Sequence, residues 1–337
     1  MNMAGPLSAS DLATFKELGY VIVRDFFPLP VIDSWREQVW AATTCGAEDW
    51  PDTVDGRWRG RYSGSQTSGG GRNAGIFTPE ASGRLTYPFP DQTTAADPFP
   101  VRPTVAQEPH AQAAIDQLLG AGTWGAGIGA PGDTGHGFEN DVVVCNWPGQ
   151  HAPGVKQWHK PHVEGFRPDS KGGPVCRWFV GMTLYLDDVG PGGGSTYVWP
   201  KSHQAVHRYY KQYPIDIPSG GALNDKQPEP TRGLSRTANA EGMSSQFMDT
   251  ACGGYQETPH EAAMNAGDLL IWHHWCVHAS STNTSDRVRQ AIITRFHTTA
   301  FGDEQRNDAG GAATDGDLWK YWGTAVRGAP RAEDAKL

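Results

Sequence analysis

The 337-residue chain carries 28 Lys and Arg against 37 Asp and Glu, a formal net charge of -9, so the chain as a whole offers no electrostatic footprint for nucleic acid. No apolar run approaches the ~18 residues of a membrane span, and no basic stretch followed by an apolar run opens the chain as a signal peptide would. With 42 Gly and 25 Pro, turns and short strands are favoured over long helices.

In chain order, residues 8 to 40 read as two short helices around a strand. Ser8 or Ser10 can cap the first helix, Leu12, Phe15 and Leu18 form its apolar stripe, and Gly19 stops it. Tyr20 to Val23 is a strand by its β-branched content, and Val31, Ile32, Trp35 and Val39 give a second helical face. Residues 43 to 108 read as mostly irregular, with a Gly/Ser-rich loop at 63 to 71 and a Pro-rich extended segment after it. Ala111 to Leu119 suggests a short helix closed by Gly120.

Strand signals dominate from residue 140 on: Asp141 to Cys145, Arg177 to Leu186, Ser195 to Trp199 after the turn Gly192-Gly193-Gly194, Leu269 to Trp272, and Ala291 to Phe296. Short strands between Gly/Pro turns predict a mostly β chain with flanking helices around a jelly-roll core. Residues 216 to 258 interrupt it, and an insert this long reads as a lid. One domain is expected over 1–337: a helical and irregular support over 1–139, a core over 140–300, and a tail over 301–337. In that tail Leu318, Trp319, Tyr321 and Trp322 form an aromatic patch suited to docking on the body. The five cysteines, Cys45, Cys145, Cys176, Cys252 and Cys276, form no Cys-x-x-Cys pair and read as free thiols of a cytoplasmic, reducing compartment.

The stretch Gln157 to Gly165 holds a His-x-Glu step, His162 and Glu164. In an extended strand residues i and i+2 point to one side, so an imidazole nitrogen and a carboxylate oxygen converge. That is two-thirds of a 2-His-1-carboxylate facial triad for Fe(II). A third ligand must come from elsewhere, and the stretch from Gly267 to Arg289 offers one.

These pieces resemble the phytanoyl-CoA dioxygenase family of Fe(II)/2-oxoglutarate oxygenases. Phe15 to Asp25 is similar to the family's opening, His162-Val163-Glu164-Gly165 to its His-x-Asp-Gly motif, and Gly267 to Arg289 to its distal His, Asn and Arg block. Leu184 to Asp188 with Pro200-Lys201-Ser202-His203 resembles its strand and Pro-x-Ser-His turn. The resemblance implies a double-stranded β-helix, cupin-like core. It implies His162, Glu164 and His278 as iron ligands, Arg289 as the fork for the distal carboxylate of 2-oxoglutarate, and Ser280 as a hydroxyl beside it. O2 is then the second cosubstrate, and a C–H bond of a small molecule is hydroxylated, desaturated or cyclised.

Glu164 stands where the family usually has Asp, one methylene longer. His159 also resembles the approach to the first ligand, but its i+2 residue is Pro161, so His162 is preferred. Arg287 shares a strand face with Arg289, and only distance and family spacing favour Arg289. Trp158, His159, Arg167 and Trp178 are candidate pocket residues that strand packing would equally explain. His203, His273 and His274 read as structural, and Asp268 and Asn283 as fixing turns. The competing readings are a cupin-like metal-dependent isomerase or hydrolase, and a small-molecule-binding barrel without turnover. Neither nucleic acid nor membrane is expected as a partner, and the oligomeric state is not legible.

Overall fold

The computed structural model describes residues 5–44, 84–88, 105–126, 142–146, 158–163, 166–168, 174–176, 180–212, 258–298, 318–319 and 322–328. Its first part contains α1 (Ala9–Leu18), β1 (Tyr20–Val23), α2 (Leu29–Thr44), β2 (Arg84–Pro88), a 3-10 turn (Val105–Gln107), α3 (Pro109–Leu119) and β3 (Trp124–Ala126). The strands β4 (Val142–Asn146), β5 (Trp158–His162), β6 (Phe166–Pro168), β7 (Pro174–Cys176), β8 (Val180–Tyr185) and β9 (Thr196–Val198) follow. After them come α4 (Ser202–Gln212), β10 (His260–Ala262), β11 (Leu269–His273), β12 (His278–Ser281), β13 (Arg289–Thr298) and α5 (Thr324–Arg327). The Gly/Ser-rich loop at 63–71 lies outside the described residues, as does the expected lid apart from its last residue.

The strands form a larger antiparallel sheet, ordered β1-β11-β8-β13-β4-β2 with β3 also on β13, and a smaller one, ordered β10-β9-β12-β5. This is the mostly β jelly-roll with few helices that the pattern of short strands predicts. Period-2 alternation sorts the larger sheet's side chains into two layers. Met182, Leu184, Leu269, Ile271 and Ile292 join Phe15, Ile32, Trp35 and Ile115 of the three N-terminal helices in one core. Tyr185, Leu270, Trp272 and Ala291 turn the other way and pack with Val198 and Ala262 of the smaller sheet. With both faces covered, all six residues of β8 are buried.

The first helix starts as its sequence directs. Ser8 Oγ accepts the Asp11 N–H at 3.1 Å, and Asp11 Oδ2 accepts the Ser8 N–H at 2.9 Å, a reciprocal capping box that selects Ser8 over Ser10. Among the described residues no helix is long and apolar enough to cross a membrane.

The aromatic patch of the tail docks on the body, as its composition suggests. The Trp322 ring lies 5.2 Å from Phe15 and stacks on His273 at 5.2 Å, while Trp319 meets His203 at 5.7 Å. Tyr321 lies outside the described residues. His203 is wholly buried and donates from Nε2 to the Lys16 carbonyl at 3.1 Å. His273 is also wholly buried and accepts the Trp275 N–H on Nδ1 at 3.0 Å. Both histidines therefore pack structurally. Burial lowers His203 to about 4, with the Lys16 bond opposing, and lowers His273 well below its ordinary value, with His274 adding to the fall.

These rings are neutral in the fold, whereas an unfolded chain protonates them below about pH 6.5. The unfolded state thus binds more protons between that pH and the folded values, so stability is lost as pH falls through this window. His203 alone accounts for about 3 kcal/mol by pH 4. Melting temperatures taken from pH 7 to 4.5 should fall, and fall less steeply in His203→Gln. Parallel profiles for the two proteins would remove His203 as a cause.

Candidate active site

The space between the two sheets carries polar groups at one end and aromatic ones in the middle. His278 opens β12 opposite Val198 of the inner core and is 8% exposed. Its Nδ1 lies 2.9 Å from the Cys276 carbonyl. A carbonyl can only accept, so Nδ1 carries a proton, and in the neutral ring Nε2 holds the lone pair. The ring lies against the Trp272 indole, centroids 4.4 Å apart. The nearby Cys276 thiol is buried and pushed up to about 12, chiefly by burial, so it stays protonated.

Arg289 opens β13 and is 3% exposed. Its Nε donates to the Gly194 carbonyl at 2.7 Å, and its Cζ lies 5.7 Å from the centre of the Tyr185 ring. Tyr185 Oη accepts the Thr196 N–H at 2.7 Å, and Thr196 is the cross-strand partner of Ser280. Arg289, Tyr185 and the Thr196 backbone are therefore linked across the two sheets, with Ser280 on the strand paired to Thr196. Burial pushes the Tyr185 phenol up, while Arg289 and the Thr196 bonds pull it down.

Two asparagines tie this end together. Asn146 Nδ2 donates to the carbonyls of Ser281 (2.8 Å) and Gly194 (3.3 Å). Asn283 Nδ2 donates to the carbonyls of Asn146 (2.8 Å) and Arg287 (2.7 Å), while its Oδ1 accepts from Ser285. Gly194 is required here: its φ is +85°, and a Cβ would sit 2.8 Å from Asn146 Nδ2. Asn283 fixes its turn as expected. So does Asp268, whose carboxylate takes the N–H groups of Asp25 and Asn265, each at 2.9 Å.

The two arginines prove unlike. Arg287 lies ahead of β13 and is exposed, because the turn held by Asn283 precedes the strand. Both border a cleft of about 230 Å³ shared with Asp187 and Asp188. Burial raises the Asp187 carboxyl, and Arg36 and then Arg287 oppose that rise, so Arg287 balances a neighbouring acid.

The register places His162 of β5 opposite His278, and His159 opposite Ser280. Three residues of β5 thus span two of β12, an irregularity of the bulge type. Trp158 pairs with Ser281, and Arg167 lies in the separate two-stranded β6–β7 sheet. Glu164 and Trp178 lie outside the described residues. Among the described residues no group of three or more His, Cys, Asp or Glu could hold a metal ion. Sequence reasoning missed Tyr185 and Thr196. The available signal was the inward period-2 row Gly181, Thr183 and Tyr185 within an otherwise apolar strand.

A family model for phytanoyl-CoA dioxygenase matches residues 15–291. No protein with a curated description matches the chain. Similar solved structures include the epimerase SnoN in complex with Fe3+, alpha ketoglutarate and nogalamycin RO, at 13% identity and TM-score 0.46, covering 86% of this chain and 82% of that one. HygX from Streptomyces hygroscopicus with nickel and 2-oxoglutarate bound is 14% identical with TM-score 0.45, covering 88% and 89%. EvdMO1 is 14% identical with TM-score 0.45 over 86% of this chain, which spans only about half, 49%, of its length.

The asparagine tie generates a stability prediction. Asn283→Ala strands two carbonyls and the Ser285 donors, and should destabilise the fold by about 2–4 kcal/mol. Asn283→Asp should not rescue it, since the Nδ2 donors are still lost. A urea midpoint equal to wild type in either variant would show that these bonds contribute nothing net.

Proposed function

We propose, because this chain belongs to the phytanoyl-CoA dioxygenase family, that it is a non-haem Fe(II)/2-oxoglutarate-dependent dioxygenase that oxidises a C–H bond of a small metabolite, most simply by hydroxylation. What supports this reading is that buried Arg289 lies beside the Tyr185 ring, whose hydroxyl accepts the Thr196 N–H from the strand paired with His278 and Ser280 of β12.

The donor types at these positions suit both groups. His162, Glu164 and His278 would hold the metal. The Cys276 carbonyl accepts a hydrogen bond from His278 Nδ1–H, which in the neutral ring leaves the lone pair on Nε2, where a metal needs it. His162 and His278 are direct register partners, with Cα atoms at the ~4.5–5.5 Å of paired strands. Arg289 would fork onto the distal carboxylate through its terminal nitrogens while Nε stays on Gly194. Ser280, Thr196 and Tyr185 add hydroxyl groups beside it.

Iron with 2-oxoglutarate and O2 supplies the oxidising power, and the cosubstrate leaves as succinate and CO2. The chain's part is to fix both ends of the cosubstrate and to keep water from them. Trp158, His159, Arg167 and Trp178 are the proposed substrate-side residues, and residues 216–258 the lid. Glu164 would supply the carboxylate that a halogenase lacks, so oxygen insertion is favoured over halogenation. A free metabolite is favoured over a CoA thioester on the acidic balance of the chain, net charge -9. The one-domain division over 1–337 belongs to the same reading, as does a reducing, cytoplasmic setting.

The direct test is 2-oxoglutarate-dependent succinate release with Fe(II), which His278→Ala should abolish. Arg289→Lys should weaken 2-oxoglutarate binding by roughly 10-fold or more, because a two-donor fork becomes a point charge. Tyr185→Phe should weaken it less. Unchanged 2-oxoglutarate affinity in Arg289→Ala would exclude the assigned role. Glu164→Asp draws the carboxylate back by one methylene, against a metal–ligand tolerance of about 0.2 Å, and should lose turnover. A silent wild type beside an active Glu164→Asp would instead identify a degenerate enzyme.

A further inference from the structure

The Trp272 indole that lies against His278 is itself held in two ways. Its Nε1 donates to Thr183 Oγ1 at 3.1 Å in a buried bond. Its six-membered ring rests over Gly181, its register partner on β8. A Cβ at Gly181 would fall 2.2–2.6 Å from three carbons of that ring. Glycine inside a strand weakens it and marks a close approach. At Gly181 the approach is by the indole.

The consequence falls on His278. Rotation of an imidazole about its Cβ–Cγ bond is soft, with broad two-fold wells. The Nδ1 bond to the Cys276 carbonyl fixes one edge of the ring but leaves tilt about that bond. An indole 4.4 Å away with an interplanar angle of 38° restricts that tilt. The two contacts together narrow the directions open to Nε2.

We infer that Trp272, seated on Gly181 and tethered to Thr183, is a positioning residue that sets the imidazole plane of His278 for a divalent metal ion at Nε2. This role rests on the reading of His278 as a metal ligand. A buried indole N–H needs a partner in any case, so it is the face of Trp272 against the His278 ring that carries the role.

The test uses the full chain without 2-oxoglutarate and Co(II) as the probe, because its visible absorption reports coordination geometry. Trp272→Leu keeps the site apolar but removes the flat face. It should bind Co(II) about 10-fold more weakly, the usual effect of losing a group that supports a ligand, with an altered visible spectrum. Trp272→Phe should fall between it and wild type. Thr183→Val removes only the tether and should also weaken binding and shift the spectrum, which keeps the test open should Trp272→Leu not fold. Wild-type affinity and spectrum in folded Trp272→Leu or in Thr183→Val, with affinity lost in His278→Ala, would overturn the role of Trp272 alone. Equal Co(II) binding by wild type and His278→Ala would overturn the metal reading and this role with it.

Discussion

A guanidinium placed between two β-sheets costs several kcal/mol in lost hydration unless its surroundings replace the water. The Arg289 end of the interior is arranged around that constraint. The Gly194 carbonyl takes Nε, and the Tyr185 ring lies beside the cation. Bringing that carbonyl close requires a backbone with positive φ and no Cβ, hence glycine at 194. The turn is then pinned by Asn146, which also bonds the Ser281 carbonyl and so ties the larger sheet to the smaller one.

The helical layer contributes by contrast. Met182 and Leu184 of β8, Leu269 and Ile271 of β11, and Ile292 and Phe296 of β13 pack with residues of α1, α2 and α3, so those strands cannot slip by one residue without exposing a core. Rigid outward packing fixes where the inward residues stand, which a preorganised site needs. The tail joins the same framework: Trp322 stacks on His273, the residue after Trp272 at the end of β11. The docked tail and the contact against His278 thus share one strand. Acid that protonates the buried histidines acts on this framework directly.

Much of this was legible in the residue order. The caps and stripes of α1 and α3 show themselves within a few neighbours, and so do the β-branched runs of β1, β4 and β13 and the mostly apolar stretches of β8 and β11. The jelly-roll class and the candidate pieces around His162, His278 and Arg289 were visible too. The two arginines were not separable in this way. Strand parity puts Arg287 and Arg289 on one face, yet the turn closed by Asn283 keeps Arg287 outside the strand and exposed.

The sequence by itself determined α1, β1, α2, α3, β4, β8, β9, β11 and β13, though not α4 or β2, and which residue types are available for a metal and a carboxylate, because capping, periodicity and donor chemistry act over a few residues. Only the tertiary structure decided that Tyr185 reaches Thr196, that Trp272 lies on His278 over Gly181, and that His162 faces His278 across a strand pair. Those contacts depend on sheet register, a bulge and a glycine's missing Cβ, and register is set by the packing of both sheet faces at once.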